Sequence, residues 1–94
     1  MDRDGATNRW ESAGSLFKTL SSPLRLRMVL ALVERPHTVT DLVDHLGVSQ
    51  PLVSQHLRVL REHCLVASTR HGREVTYSLM DEHVAHIVQD ALAH

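Results

Sequence analysis

Gln50, Ser54 and Gln55 place amide and hydroxyl groups, and Arg58 a guanidinium, in one stretch, QPLVSQHLRVL, whose apolar residues Val53, Leu57 and Leu60 recur at helical spacing. At about 100° per residue that stripe turns inward, leaving Pro51, Gln55 and Arg58 opposite it, Ser54 at its margin and Gln50 in the first turn. Gln pairs bidentately with adenine and Ser reaches several base edges, so this face suits reading a DNA groove. The alternative is a solvated face, which more often carries Glu and Lys. Downstream, Arg70 and Arg73 flank His71 and Gly72. With Arg58 and Arg61 they outnumber Glu62 and Glu74 between Gln50 and Ser78, so the stretch is positive although the formal net charge of the chain is -1. Nucleic-acid binding must therefore come from local clustering. Arg70 and Arg73 suit phosphate or minor-groove contact; turn solubility is their alternative reading.

The eight histidines are the second chemical feature. Neutral imidazole is the commonest metal ligand and titrates near neutrality, so a histidine-rich small chain invites a metal or pH role beside surface histidines without a task. His86 and Asp90, four apart, form an exposed polar pair more readily than a metal site. Cys64 is the single cysteine. It has no partner for an intramolecular disulfide, and with no charged apolar leader or run of about eighteen apolar residues in the sequence, a reducing cytoplasm and no membrane association are expected.

The elements that must position these groups fit one domain, since ninety-four residues do not divide into two lobes around a cleft. The composition is 43% hydrophobic and 22% charged, which is globular, and with only Trp10, Phe17 and Tyr77 as aromatics the core falls to Leu and Val. Residues 1–8 read as a disordered polar head and 9–94 as the folded domain. Trp10, Ala13, Phe17 and Leu20 mark a first helix over Arg9 to Leu20. Ser22 and Pro23 open a second with Leu26, Val29, Leu30 and Val33, ended by Pro36. Thr38 or Thr40 caps a short third helix that stops at Gly47, and Ser49 caps a fourth whose buried stripe extends to Cys64. A period of two then runs through Thr69, Gly72 makes a tight turn, and Val75, Tyr77 and Leu79 return, predicting a β-hairpin. Asp81 opens a last helix with Val84, Val88, Ala91 and Leu92 on one side. The fold class is mainly α with a β-hairpin wing, a winged helix-turn-helix. A histidine-dependent hydrolase is disfavoured: no G-x-S-x-G, H-E-x-x-H or glycine-rich phosphate loop occurs, so the chain does not read as an enzyme.

With these residues in place, the stretch from Leu16 to His94 resembles the ArsR/SmtB family of winged-helix metal-sensing repressors. LSSPLRLRMVLALV is similar to that family's second helix, VSQPLVSQHLRVLREHCLV to its recognition helix, and GREVTYSL to its wing. The resemblance implies a homodimer through the first and last helices, with two recognition helices in successive major grooves of a pseudo-palindromic operator and metal binding that weakens DNA affinity. It also implies Gln50, Ser54 and Gln55 as base readers. The family's thiolate sensors carry two cysteines where this chain has Thr38 and Thr40, and Cys64 alone does not replace them, so a soft-metal sulfur site is not expected.

Asp81, one residue, His83, ten residues, His94 resembles the zinc site that other members place on their last helix. Eleven residues turn a helix through about 1,100°, so His83 and His94 share a face but lie about 16 Å apart. Donors must stand about 2.0–2.2 Å from zinc, so Asp81 and His83 of one chain must meet His94 of a second, antiparallel copy. The family's pattern places a fourth ligand three residues beyond His94, outside this sequence. His and carboxylate also suit cobalt or nickel. The expectation is a zinc-responsive repressor released from DNA by metal; the alternative is a metal-independent winged-helix regulator in which Asp81 is only an N-cap.

Overall fold

The computed structural model describes the backbone from Arg3 to His94 and side chains from Asn8 onward. Five helices and three strands follow in the order α1 (Arg3–Thr19), α2 (Pro23–Glu34), β1 (His37–Thr38), α3 (Val39–Leu46), α4 (Gln50–Glu62), β2 (Val66–His71), β3 (Glu74–Leu79) and α5 (Glu82–Ala93). The winged helix-turn-helix expected above is present. It consists of α3 and α4 joined at Gly47, Val48 and Ser49, with the β2–β3 hairpin directly after.

Local chemistry explains the helix boundaries. Ser22 accepts from the Arg25 backbone N–H ahead of α2, with Pro23 in the first turn where no intrahelical donor is needed. Of the two threonines considered for α3, Thr38 is the cap: its Oγ1 accepts from Asp41 N at 3.0 Å while Asp41 Oδ2 accepts from Thr38 N at 3.1 Å, a reciprocal capping box. Gly47 closes α3 in the left-handed region at φ 68°, its N–H donating to Val43 O at 2.9 Å. Ser49 caps α4 by accepting from Leu52 N.

One core forms where these elements meet. Met28, Val29 and Leu32 of α2, Leu42 and Leu46 of α3, Val53, Leu57 and Leu60 of α4, and Val84 and Val88 of α5 are buried together with Leu65 and Val66. Burial of such aliphatic side chains, at about 1.5–3 kcal/mol each, is the main term favouring the fold. The wing strands pair antiparallel from Val66↔Leu79 to His71↔Glu74. Gly72 at φ 66° opens their two-residue turn, the position where a type II′ hairpin needs a positive φ.

Three expectations are corrected. Cys64 is exposed, not core. It sits at φ 59° just past α4, with Cys64 N donating to Arg61 O at 3.0 Å and Leu65 N to Leu60 O at 2.9 Å. This Schellman closure unwinds the helix before Cys64 can extend the stripe and swings Leu65 into the core instead. The first helix begins at Arg3 and not Arg9, so the head over residues 1–8 is helical from Arg3, and residues 1–2 lie outside the described residues. Once a helix is nucleated, extension costs little and needs no apolar period. The sheet has a third strand that the residue pattern did not predict: β1 joins the other edge of β3, pairing His37↔Tyr77 and Thr38↔Thr76, for the order β1-β3-β2.

Candidate nucleic-acid interface

On α4 the amphipathic split is complete. Val53 and Leu60 are fully buried and Leu57 is 1% exposed, while Gln50, Pro51, Ser54, Gln55 and Arg58 all lie on the exposed side. The groups expected to read base edges therefore share a free face of one rigid helix. At the wing, Arg70, His71, Gly72 and Arg73 are exposed around the hairpin tip, and Arg70 Nη1 reaches Gly72 O at 3.5 Å, a weak contact that leaves the guanidinium free for an external anion.

His56, on the same helix, is half-buried and was not singled out by sequence reasoning. Arg25 Nε donates to His56 Nδ1 at 3.0 Å, and Arg25 Nη1 donates to Thr19 O at 3.1 Å. The guanidinium thus joins the end of α1, the first turn of α2 and the middle of α4. Burial, then the neighbouring Arg25 charge, hold the His56 imidazole below its ordinary pKa, so it stays neutral with Nδ1 as acceptor. Arg27 Nη2 adds a second tie by donating to Leu46 O at 3.4 Å beside the helix-turn-helix corner. No residue spacing signals contacts of this kind.

The last-helix donors are placed differently. Asp81 is the N-cap of α5, its Oδ1 accepting from His83 N at 2.8 Å. Asp81, His83 and His94 are all exposed, with His83 in the first turn and His94 at the C-terminal end. Among the described residues no three His, Cys, Asp or Glu side chains of one chain converge on a common point. The Asp81–His83–His94 set therefore does not fit a metal within a protomer. Its exposed imidazoles and the second Asp81 oxygen remain open to another copy. Of Thr38 and Thr40, the two positions of the thiolate site, Thr38 is engaged with Asp41 in capping α3.

Residues 22–68, from the cap of α2 into the first wing strand, match the family described as bacterial regulatory protein, arsR family. The chain belongs to the arsR family. It is similar to the HTH-type transcriptional repressor SmtB of Mycobacterium tuberculosis, with 51% identity over 84 residues covering 89% of this chain and 62% of that protein. The present chain thus spans less than two thirds of that relative's length. The HTH-type transcriptional regulator NmtR of Mycobacterium tuberculosis is 42% identical over 85% of this chain and 67% of its own length. Among solved structures, the transcriptional repressor BigR from Xylella fastidiosa superposes with a TM-score of 0.83 at 37% identity, covering 96% of this chain and 92% of that one. The arsR-family match centres on the helix-turn-helix, the element carrying the exposed Gln50, Ser54 and Gln55.

Proposed function

We propose that this arsR-family protein is a DNA-binding transcriptional repressor of the cytoplasm, not an enzyme, acting as a homodimer on a pseudo-palindromic operator. The observation that carries the reading is the α4 face, where Gln50, Ser54, Gln55 and Arg58 are exposed together above a fully buried stripe. Gln55 and Gln50 supply bidentate amides, Ser54 a hydroxyl, and Arg58 with the wing residues Arg70 and Arg73 the phosphate contacts that set register. The repressor names of SmtB and BigR support the same role. Dimerisation is supported by Trp10 and Phe17 on α1, 76% and 59% exposed, and Leu92 on α5, 57% exposed. Apolar side chains of that size left in water favour burial against a second copy.

The regulatory part of the proposal assigns zinc, with cobalt or nickel as substitutes, to Asp81 and His83 of one chain and His94 of the other. Bound there, the ion would cross-link the two α5 helices and favour a dimer whose recognition helices no longer match the operator. By linkage, DNA then opposes metal by the same free energy, commonly about 1–3 kcal/mol. A metal-independent regulator is the second reading, favoured by Asp81 already being accounted for as the α5 N-cap. Operator binding followed by fluorescence anisotropy, with and without zinc, tests both. Release by zinc, abolished in His83→Ala, supports the sensor; a complex that persists at saturating zinc leaves only the metal-independent repressor. Absence of operator binding in either condition overturns the DNA-binding reading.

A further inference from the structure

His56 is assigned no base contact, yet it sits inside the readout helix, one residue after Gln55 and two before Arg58. It also lies three residues after Val53 and four before Leu60, so its half-buried ring borders the stripe that α4 turns to the core while Gln55 and Arg58 face out. The α4 backbone lies closest to α3 and β2. Toward the α1–α2 junction, the hydrogen-bonded tie among the described residues is the one from Arg25 Nε to His56 Nδ1 at 3.0 Å. Arg25 is itself anchored, since its Nη1 donates to Thr19 O at 3.1 Å, a carbonyl at the C-terminal end of α1 where a cation is favoured. The donor is therefore fixed, and whether α4 stays tied depends on whether Nδ1 accepts.

We propose that His56 is a positioning residue for operator binding: its neutral ring holds α4 in the orientation that presents Gln55 and Arg58, and a proton on Nδ1 frees the helix and weakens operator affinity. This role rests on the DNA-binding reading above and belongs to a group that touches no DNA. A neutral imidazole protonated at Nε2 offers Nδ1 as an acceptor. An imidazolium offers two donors, so the Arg25 Nε–H would face a second N–H and a like charge. Among the described residues Arg25 is the one charged group that acts on the ring, and burial adds to its effect in favouring the neutral form. The tie and the proton therefore exclude each other. DNA that selects the tied helix must in turn oppose the proton, by linkage. The sign sets this apart from general electrostatics. Protonation of exposed imidazoles such as His71 at the wing tip adds positive charge and strengthens phosphate attraction as pH falls, whereas protonation of His56 weakens the operator complex.

The test compares the full chain with His56→Gln, whose amide oxygen accepts from Arg25 and does not titrate. Operator and an unrelated duplex are titrated by fluorescence anisotropy at fixed salt, at neutral pH and at the acidic pH where the ring resonances of the parent show His56 protonated. The ratio of operator to unrelated affinity is expected to fall at least about fivefold on acidification in the parent and to hold constant in His56→Gln. Amide hydrogen exchange, which needs no DNA, reads the positioning itself: protonation is expected to lower the protection of α4 amides relative to those of α3 in the parent and not in His56→Gln. An operator ratio that follows pH equally in the two proteins overturns the role, and so does α4 protection that ignores the proton. Loss of overall helix content on protonation of His56, seen by circular dichroism, also overturns it, since the ring would then support the fold and not the orientation of one helix. If no operator binds at neutral pH while α4 protection still follows the proton, the DNA-binding reading fails and His56 stands as the group that holds α4.

Discussion

Arg25 Nε and His56 Nδ1 stand 3.0 Å apart, and through that bond the helix that presents Gln55 and Arg58 is held to the junction of α1 and α2. The bond exists only while His56 is neutral, since an imidazolium has no acceptor and would face the Arg25 charge. Orientation of α4 and the protonation of one half-buried ring are therefore linked.

The sign of that linkage is determinate. The folded state lowers the His56 pKa from its ordinary 6.5, so the unfolded chain binds the proton more readily. The stabilisation is fully present above pH 6.5 and declines as pH falls from there through the lower folded value. Urea unfolding followed by circular dichroism is expected to show a midpoint that drops on acidification through this window. In His56→Gln, whose amide oxygen still accepts from Arg25 but does not titrate, part of the drop disappears. An identical pH profile for the two proteins would contradict it.

Substitutions on α4 and on the wing should separate by the DNA group each side chain meets. If Gln55 meets a base edge as proposed, Gln55→Ala is expected to cost about 1–3 kcal/mol on the operator and little on unrelated DNA. Arg70→Ala should weaken both, and reduce the slope of log affinity against log salt by about 0.9 for each phosphate the protein no longer neutralises. Anisotropy titrations across a salt series on both DNAs read the two effects.

Cys64 offers a stability gain. Its φ of 59° is a left-handed conformation that costs a side-chain-bearing residue about 1–2 kcal/mol and glycine little. Since the side chain is exposed and packs in no core, Cys64→Gly is expected to raise stability by about 1 kcal/mol in chemical denaturation. A fall in stability would show that the thiol makes an interaction the folded chain needs.

The exposed apolar side chains of α1 predict the assembly state. Trp10→Ser with Phe17→Ser removes the two largest exposed apolar side chains on that helix without touching the core. Sedimentation equilibrium should then show weaker self-association by about 1.5–3 kcal/mol for each side chain that the dimer fully buries, at unchanged helix content. Equal association of the double variant and the parent would place the dimer interface elsewhere.

Short-range order was legible in the residues themselves. The period of Val53, Leu57 and Leu60, the caps at Ser22 and Ser49, the left-handed glycines 47 and 72, and the alternation into Leu79 each depend on neighbours within one or two turns, so they exist in the sequence as patterns. The exposed face with Gln50, Ser54, Gln55 and Arg58 follows from the first of these by helical geometry alone. The tertiary structure decided what depends on distant partners or on competition between local choices. Two residues, His37 and Thr38, are too few to show a strand period, and they pair only because β3 brings Tyr77 and Thr76 beside them. Arg25 meets His56 across 31 residues of sequence. At Cys64 two local outcomes competed, another helical turn or a Schellman closure, and the closure that buries Leu65 beside Leu60 prevailed because Leu65 is 6% exposed in the core while the thiol needs no burial.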